Sequence, residues 1–147
     1  MGLERWTGLA PEKKFILSEE SAQAELARLM AYYETDIDDA APEQEAAIDQ
    51  ILRRILTALR QGKIELHEDA EKNLQIIQSC KSGEKLTFRE LKGSDRVRLE
   101  KAGNDPIKRM HTLMGILSGY GSDAIGKLPS GDLRVTEALA GFFLVLA

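Results

Sequence analysis

The chain has 147 residues and a mass of 16.3 kDa; 43% of its residues are hydrophobic and 30% are charged. These values fit one globular domain, or a small domain with an appendage. Two histidines and one cysteine cannot supply a closed structural zinc site without several carboxylates, and a single cysteine excludes an intrachain disulfide. We therefore expect no bound metal ion and no organic cofactor, and the composition favours a binding or assembly protein.

Charge is distributed unevenly around a net value of −4. Residues 1–73 carry sixteen acidic and nine basic side chains, whereas residues 74–147 carry eight acidic and eleven basic ones. This asymmetry predicts two segments with different surroundings, divided at residues 73 and 74. The stretch from Glu34 to Glu45 is acidic and contains no basic residue. It lacks the ligand spacing of a calcium loop, so we interpret it as a solvated loop between helices.

Two amphipathic helices are predicted in the first segment. Ser18 is a suitable N-cap for the first helix, while Pro42 suits the first turn of the second and Gly62 its end. Together they predict a helical hairpin, preceded by an extended arm over residues 2–17. The apolar stripes of the two helices are Ala22, Leu26, Leu29, Met30 and Tyr33, and then Ile48, Ile51, Leu52, Ile55, Leu56 and Leu59.

The hydrophobic period changes after Gly62. Alternating or β-prone runs at residues 64–66, 74–77 and 86–89 predict a small antiparallel sheet of two or three strands, which must pack against helices to be stable. Helical signals then return. The further helices are predicted at residues 95–102 with Ser94 as N-cap, at 106–118 after Asp105, at 122–126, and from Pro129 and Ser130 to the end of the chain.

The expected fold is α+β and mostly helical. It comprises an N-terminal arm and helical hairpin in residues 1–73, and a β-hairpin or three-stranded sheet with a C-terminal helical bundle in residues 74–147. Because only two or three strands are predicted among many helical segments, we expect the sheet to be a small part of the fold.

The sequence contains no recognised catalytic motif. His67 and His111 have no histidine partner at a spacing that shares a helix face, and no metalloprotease, nucleophile-elbow or phosphate-loop motif is present. Basic residues cluster between Lys81 and Arg109, but acidic residues interleave them and only Phe88 could stack on a base. We therefore expect neither an enzyme nor a nucleic-acid partner.

The N-terminus, from Met1 to Trp6, has no secretory signal, and the single Cys80 favours a reducing compartment. The only long apolar run spans residues 138–147, whereas a membrane helix needs about 20 residues. The sequence therefore predicts a protein with no membrane partner.

The last predicted helix is apolar around its whole circumference. Such a helix is either the centre of the fold or a partly exposed surface that a partner or a second subunit covers. On the second interpretation Phe142, Phe143 and Leu146 are the candidate partner-binding residues. Trp6 is a candidate of the same kind, unless it only fastens the N-terminal arm.

Four short stretches of the second segment, taken in their order along the chain, carry a resemblance to a known protein family. They are LTFRELKGSD from Leu86 to Asp95, GILSG from Gly115 to Gly119, IGKL from Ile125 to Leu128, and the Phe142-Phe143 pair near the end of the last helix. This order resembles the small tail assembly proteins of Mu-like bacteriophages, over residues 74–147. Leu91 departs from the resemblance because the family often has proline there, and residues 1–73 have no counterpart in its short members.

The resemblance implies a tail assembly chaperone in the host cytoplasm. Such a protein is non-catalytic and shields the hydrophobic tape-measure protein until the tail tube polymerises. The alternatives are a structural tail or neck component that stays in the particle, and a general protein–protein interaction module. The same apolar surface would also support a homo-oligomer.

Overall fold

A computed structural model describes residues 15–35 and 41–146 of the chain. Six α-helices and one three-stranded antiparallel sheet form within these residues, which confirms the mostly helical α+β fold. Trp6 and most of the predicted arm lie outside them. The elements are α1 (Glu19–Tyr32), α2 (Pro42–Arg60), β1 (Ile64–Glu68), β2 (Leu74–Ser79), β3 (Lys85–Phe88), α3 (Gly93–Glu100), α4 (Pro106–Ser118), α5 (Ser122–Gly126) and α6 (Ser130–Gly141), followed by a π-helical turn (Phe142–Leu146).

Local capping chemistry explains where α1 begins and where α4 begins and ends. The Ser18 hydroxyl accepts a hydrogen bond from the Ser21 backbone N–H at 3.1 Å. The Asp105 carboxylate accepts one from the Ile107 N–H at 3.1 Å, which satisfies a donor that the first turn leaves free. Gly119 ends α4 in the left-handed conformation, with φ of 78°. The N-caps Ser18 and Asp105 are the predicted ones.

The beginning of α3 differs from the prediction. Ser94 lies inside the helix, because α3 begins at Gly93 with Lys92 in the N-cap position. The cap comes instead from Asp95, whose carboxylate accepts a hydrogen bond from the Lys92 backbone N–H at 2.9 Å. A carboxylate at the third helical position can satisfy this N–H, so Ser94 is not needed as the cap.

Strand β2 lies at the centre of the sheet, between β1 and β3. Ile76 is paired with both Leu66 and Phe88, and its side chain is buried. Beyond β3 the chain joins the helical layer, where the Arg89 N–H donates a hydrogen bond to the Leu117 carbonyl of α4 at 3.2 Å. The sheet therefore rests on helices, as its small size requires.

The two predicted segments share one core. The division at residues 73 and 74 falls between β1 and β2, which pair along their whole length. One buried cluster contains Leu29 and Ile55 from the first segment together with Leu113 and Leu139 from the second. The difference in charge between the segments is therefore a property of the surface and does not mark two independent cores.

Helices α2 and α6 pack closely at the end of α6. A side chain on Gly141 would place its Cβ atom 3.0 Å from the Cδ1 atom of Ile51. Glycine therefore permits the close approach of the helices at this point. No helix within residues 15–35 and 41–146 is long and apolar enough to span a bilayer.

Candidate partner-binding site

The chain after α6 begins with two buried phenylalanines. Phe142 and Phe143 are both 0% exposed, and their ring centroids lie 5.8 Å apart in an edge-to-face arrangement. Tyr33, which follows α1, contacts both, at 5.6 and 5.8 Å between centroids. Burial raises the pKa of the Tyr33 hydroxyl. Phe142 and Phe143 therefore belong to the core, which is the first of the two interpretations of the last helix, and they do not themselves form an exposed surface.

The exposed apolar surface of this turn is formed by Leu144 and Val145, the two residues after the phenylalanines. Leu144 is 43% exposed and Val145 is 51% exposed, whereas Leu146 is half-buried. Neighbouring residues of a helical turn point in different directions, so the burial of the two phenylalanines turns Leu144 and Val145 outward. No polar side chain occurs between Ala138 and Leu146 to offset this exposure. The arrangement suits an apolar ligand segment.

A buried polar network fixes α6 against the sheet. The side-chain amide of Gln78 on β2 donates a hydrogen bond to the Asp132 backbone carbonyl at 2.8 Å. The Thr136 hydroxyl donates one to the Gln78 side-chain oxygen, also at 2.8 Å. The Asp132 carboxylate accepts a bond from the Lys81 N–H at 3.0 Å. Helix α6 and the turn after it are thus anchored on the sheet by satisfied buried groups.

A second anchor lies between the end of β3 and the beginning of α3. Arg89, directly after β3, donates two hydrogen bonds to the Asp95 carboxylate, at 2.7 and 2.9 Å. Asp95 is only 3% exposed. The Arg89 guanidinium, with help from the Lys92 N–H, lowers the pKa of Asp95 to about 2. The pair ties the end of β3 to the beginning of α3.

A groove between α2 and α6 is lined by four basic side chains. It has a volume of about 440 Å³ and is lined without any acidic residue. The basic residues are Arg53 and Arg54 on α2, Lys63 just before β1, and Arg134 on α6. Arg134 is far in the sequence from the other three, so the charge pattern alone does not group the four residues.

The remaining chemically reactive side chains do not converge. His67 is exposed on β1, whereas His111 is half-buried on α4. Cys80 is buried, and this burial raises the pKa of its thiol. In the described part of the chain, no three histidine, cysteine or acidic side chains are grouped in a way that could hold a metal ion.

Within the last turn, the exposed residues Leu144 and Val145 differ from the residues that the sequence predicted, of which Phe142 and Phe143 are buried and Leu146 is half-buried. When every residue of a segment is apolar, the hydrophobic pattern does not show which side of the helix faces the core. It therefore cannot distinguish Leu144 and Val145 from the buried phenylalanines. Gln78 did carry a usable signal, because it is a polar residue on the inward side of β2.

Comparison of the chain with protein-family models, with curated proteins and with solved structures gives no match.

Proposed function

We propose that the chain is a non-catalytic tail assembly chaperone of a phage or prophage. It binds an apolar segment of a tail protein, the tape-measure protein in the first instance, in the host cytoplasm and without a cofactor. The observation that carries this proposal is the exposed pair Leu144 and Val145 on a turn whose other side is buried.

The size of this surface suits reversible binding. Full burial of a leucine or valine side chain stabilises a complex by about 1.5–3 kcal/mol, so covering the exposed half of Leu144 and Val145 contributes on the order of 1 kcal/mol each. A contact of this strength helps to select an apolar segment and still permits its release. An assembly chaperone must release its partner when the partner enters the growing structure.

The surface is also held in place before a partner arrives. Phe142 and Phe143 contact Tyr33 in the core, and Gln78 fixes α6 to the sheet. Little conformational entropy is therefore lost at the turn on binding, so more of the contact energy appears as affinity.

The resemblance to the Mu-like tail assembly proteins supports the same proposal. Its first stretch, Leu86 to Asp95, spans most of β3 and the beginning of α3, and the Arg89–Asp95 ion pair lies inside it. Its later stretches fall at the end of α4, at the end of α5 and in the π-helical turn after α6. The resembling residues thus lie in consecutive elements of the chain, from β3 to the π-helical turn after α6.

The first experiment tests the surface with a matched pair of valines. Val145→Asp places a charge on the proposed surface, while Val97→Asp places the same charge on α3, where Val97 is 59% exposed. We expect Val145→Asp to abolish co-purification of the tape-measure protein and Val97→Asp to retain it. Circular dichroism should show the wild-type helix content in both. Equal binding by both variants would contradict the proposed surface.

The second experiment separates a chaperone from a structural tail or neck component. A chaperone leaves the partner during assembly, so purified particles should lack the chain, while lysates in which tail assembly is blocked should contain it bound to the tape-measure protein. A stoichiometric amount in purified particles would instead establish the structural alternative. Quantitative mass spectrometry of particles and lysates measures both.

A further inference from the structure

The basic groove between α2 and α6 is a second candidate interaction surface. Arg53, Arg54, Lys63 and Arg134 surround it, and the uncharged residues Gln50, Thr57 and Gln61 add hydrogen-bonding groups. Arg53 and Arg54 each lie three or four residues, about one helical turn, from Gln50 and from Thr57, so one stripe of α2 lines the groove.

Nothing in the described part of the chain neutralises these four charges. No carboxylate lies within 4.0 Å of any of them there, since the ion pairs involve only Arg28 and Arg89 as the cations. The nearby Asp132 carboxylate already accepts the Lys81 N–H. Four like charges around one groove repel each other and favour a ligand of opposite charge.

The opposite charge is present at the other end of α2. Glu43 and Glu45 are exposed in its first turn. They belong to the stretch from Glu34 to Glu45, which holds six acidic residues and no basic one. Glu45 and Arg53 are separated by about 12 Å of helix rise, since each residue adds about 1.5 Å. The helix therefore holds its acidic end away from its own basic groove.

We propose that the groove receives the acidic beginning of α2 from a second copy of the chain. The two surfaces are different, so the contact is head-to-tail, and each bound copy still offers a free groove and a free acidic end. Such contacts produce rings or open chains of subunits. A nucleic acid fits the groove less well, because no aromatic residue lines it and the chain carries a net charge of −4.

Salt dependence is the first test. Sedimentation velocity of the full chain should show mass increasing with concentration at about 50 mM NaCl and a monomer at about 500 mM NaCl, because salt screens charges at such contacts. A monomer at both salt concentrations would overturn the proposal.

Charge reversal at each surface is the second test. The groove variant carries Arg53→Glu and Arg54→Glu, and the acidic-end variant carries Glu43→Lys and Glu45→Lys. Each variant alone should weaken self-association by about tenfold or more, since like charges then face each other. A matched control carries Arg96→Glu and Lys108→Glu, two exposed sites outside the groove, and should associate like the wild type.

A mixture of the two variants gives the decisive result. The acidic-end variant retains an intact groove and the groove variant retains an intact acidic end, so an equimolar mixture should regain the self-association that each variant alone has lost. Circular dichroism first verifies that each variant is folded. A mixture that stays monomeric overturns the proposal, as does a control that dissociates like the groove variant. Binding of an oligonucleotide through Arg53 and Arg54 by a monomeric wild type would also overturn it.

Discussion

The Arg89 guanidinium and the Asp95 carboxylate form a two-point ion pair, with N–O distances of 2.7 and 2.9 Å. The Asp95 side chain is 4% exposed, whereas that of Arg89 is 38% exposed. The carboxylate has therefore lost most of its water, and the guanidinium and the Lys92 N–H replace it. Breaking the pair from the arginine side leaves a buried, poorly compensated charge.

We predict that Arg89→Ala lowers the free energy of unfolding by about 3 kcal/mol, because the buried carboxylate then loses its main partner. Urea denaturation followed by circular dichroism measures this loss. Arg96→Ala is the control, since Arg96 is exposed and forms no ion pair within the described residues. A loss in Arg89→Ala no larger than in the control would show that the pair is not important for stability.

The same pair predicts a pH dependence. Because the pKa of Asp95 is lowered from 3.8 to about 2 in the folded chain, its stabilising effect is complete above about pH 5 and is lost as the pH falls towards 2. The effect amounts to about 1–2 kcal/mol after allowance for the exposure of Arg89. The stability difference between wild type and Asp95→Asn should therefore shrink between about pH 5 and about pH 2.5. A difference that stays constant over this range would contradict the assignment.

Among the glycines that the structure describes, Gly115 in α4 is the one closest to backbone atoms of another segment. A Cβ atom there would lie 2.4 Å from the Gly121 carbonyl carbon and 2.5 Å from the Ser122 nitrogen, both of them backbone atoms. Gly115→Ala should therefore destabilise the chain by about 3 kcal/mol or more, since the backbone before α5 must move. Gly131→Ala is the matched control, because its Cβ atom would meet nothing within 4 Å. Equal melting temperatures for both variants would refute the prediction.

Gln78 and Thr136 form a buried polar pair whose members depend on each other. Thr136→Val removes the hydroxyl that donates to the Gln78 oxygen, and should cost about 1–3 kcal/mol because a buried acceptor is left without that partner. The double variant with Gln78→Leu and Thr136→Val should be less destabilised than the sum of the single variants. Thermal denaturation of the four proteins measures this coupling. Additive losses would show that the two side chains act independently.

Much of the fold could be predicted from the sequence because local signals agree with the tertiary structure. Asp105, Pro106 and Gly119 define α4 by capping chemistry that depends only on neighbouring residues. The beginning of α3 was harder to predict, because its cap is Asp95. The ion pair with Arg89, together with the bond from the Lys92 N–H, fixes the orientation of the Asp95 side chain. When only the sequence is known, either Ser94 or Asp95 could supply the cap of α3.

The candidate surfaces were less predictable than the fold. Leu144 and Val145 are as apolar as the buried Phe142 and Phe143, so composition gives no reason to place them on opposite sides. The basic groove joins residues separated by more than one quarter of the chain, and only the packing of α2 on α6 brings them together. Both surfaces depend on how helices dock, which short-range patterns do not encode.

The contacts between Tyr33 and the Phe142-Phe143 pair have a consequence for synthesis on the ribosome. Tyr33 is made early, but its aromatic partners emerge roughly 110 residues later, so a long loop must close before this part of the core exists. Until then the apolar stripes of α1 and α2 lack the cover of the π-helical turn. The nascent chain therefore carries an open apolar surface during most of its translation, and quality-control factors of the cell have this interval in which to bind it.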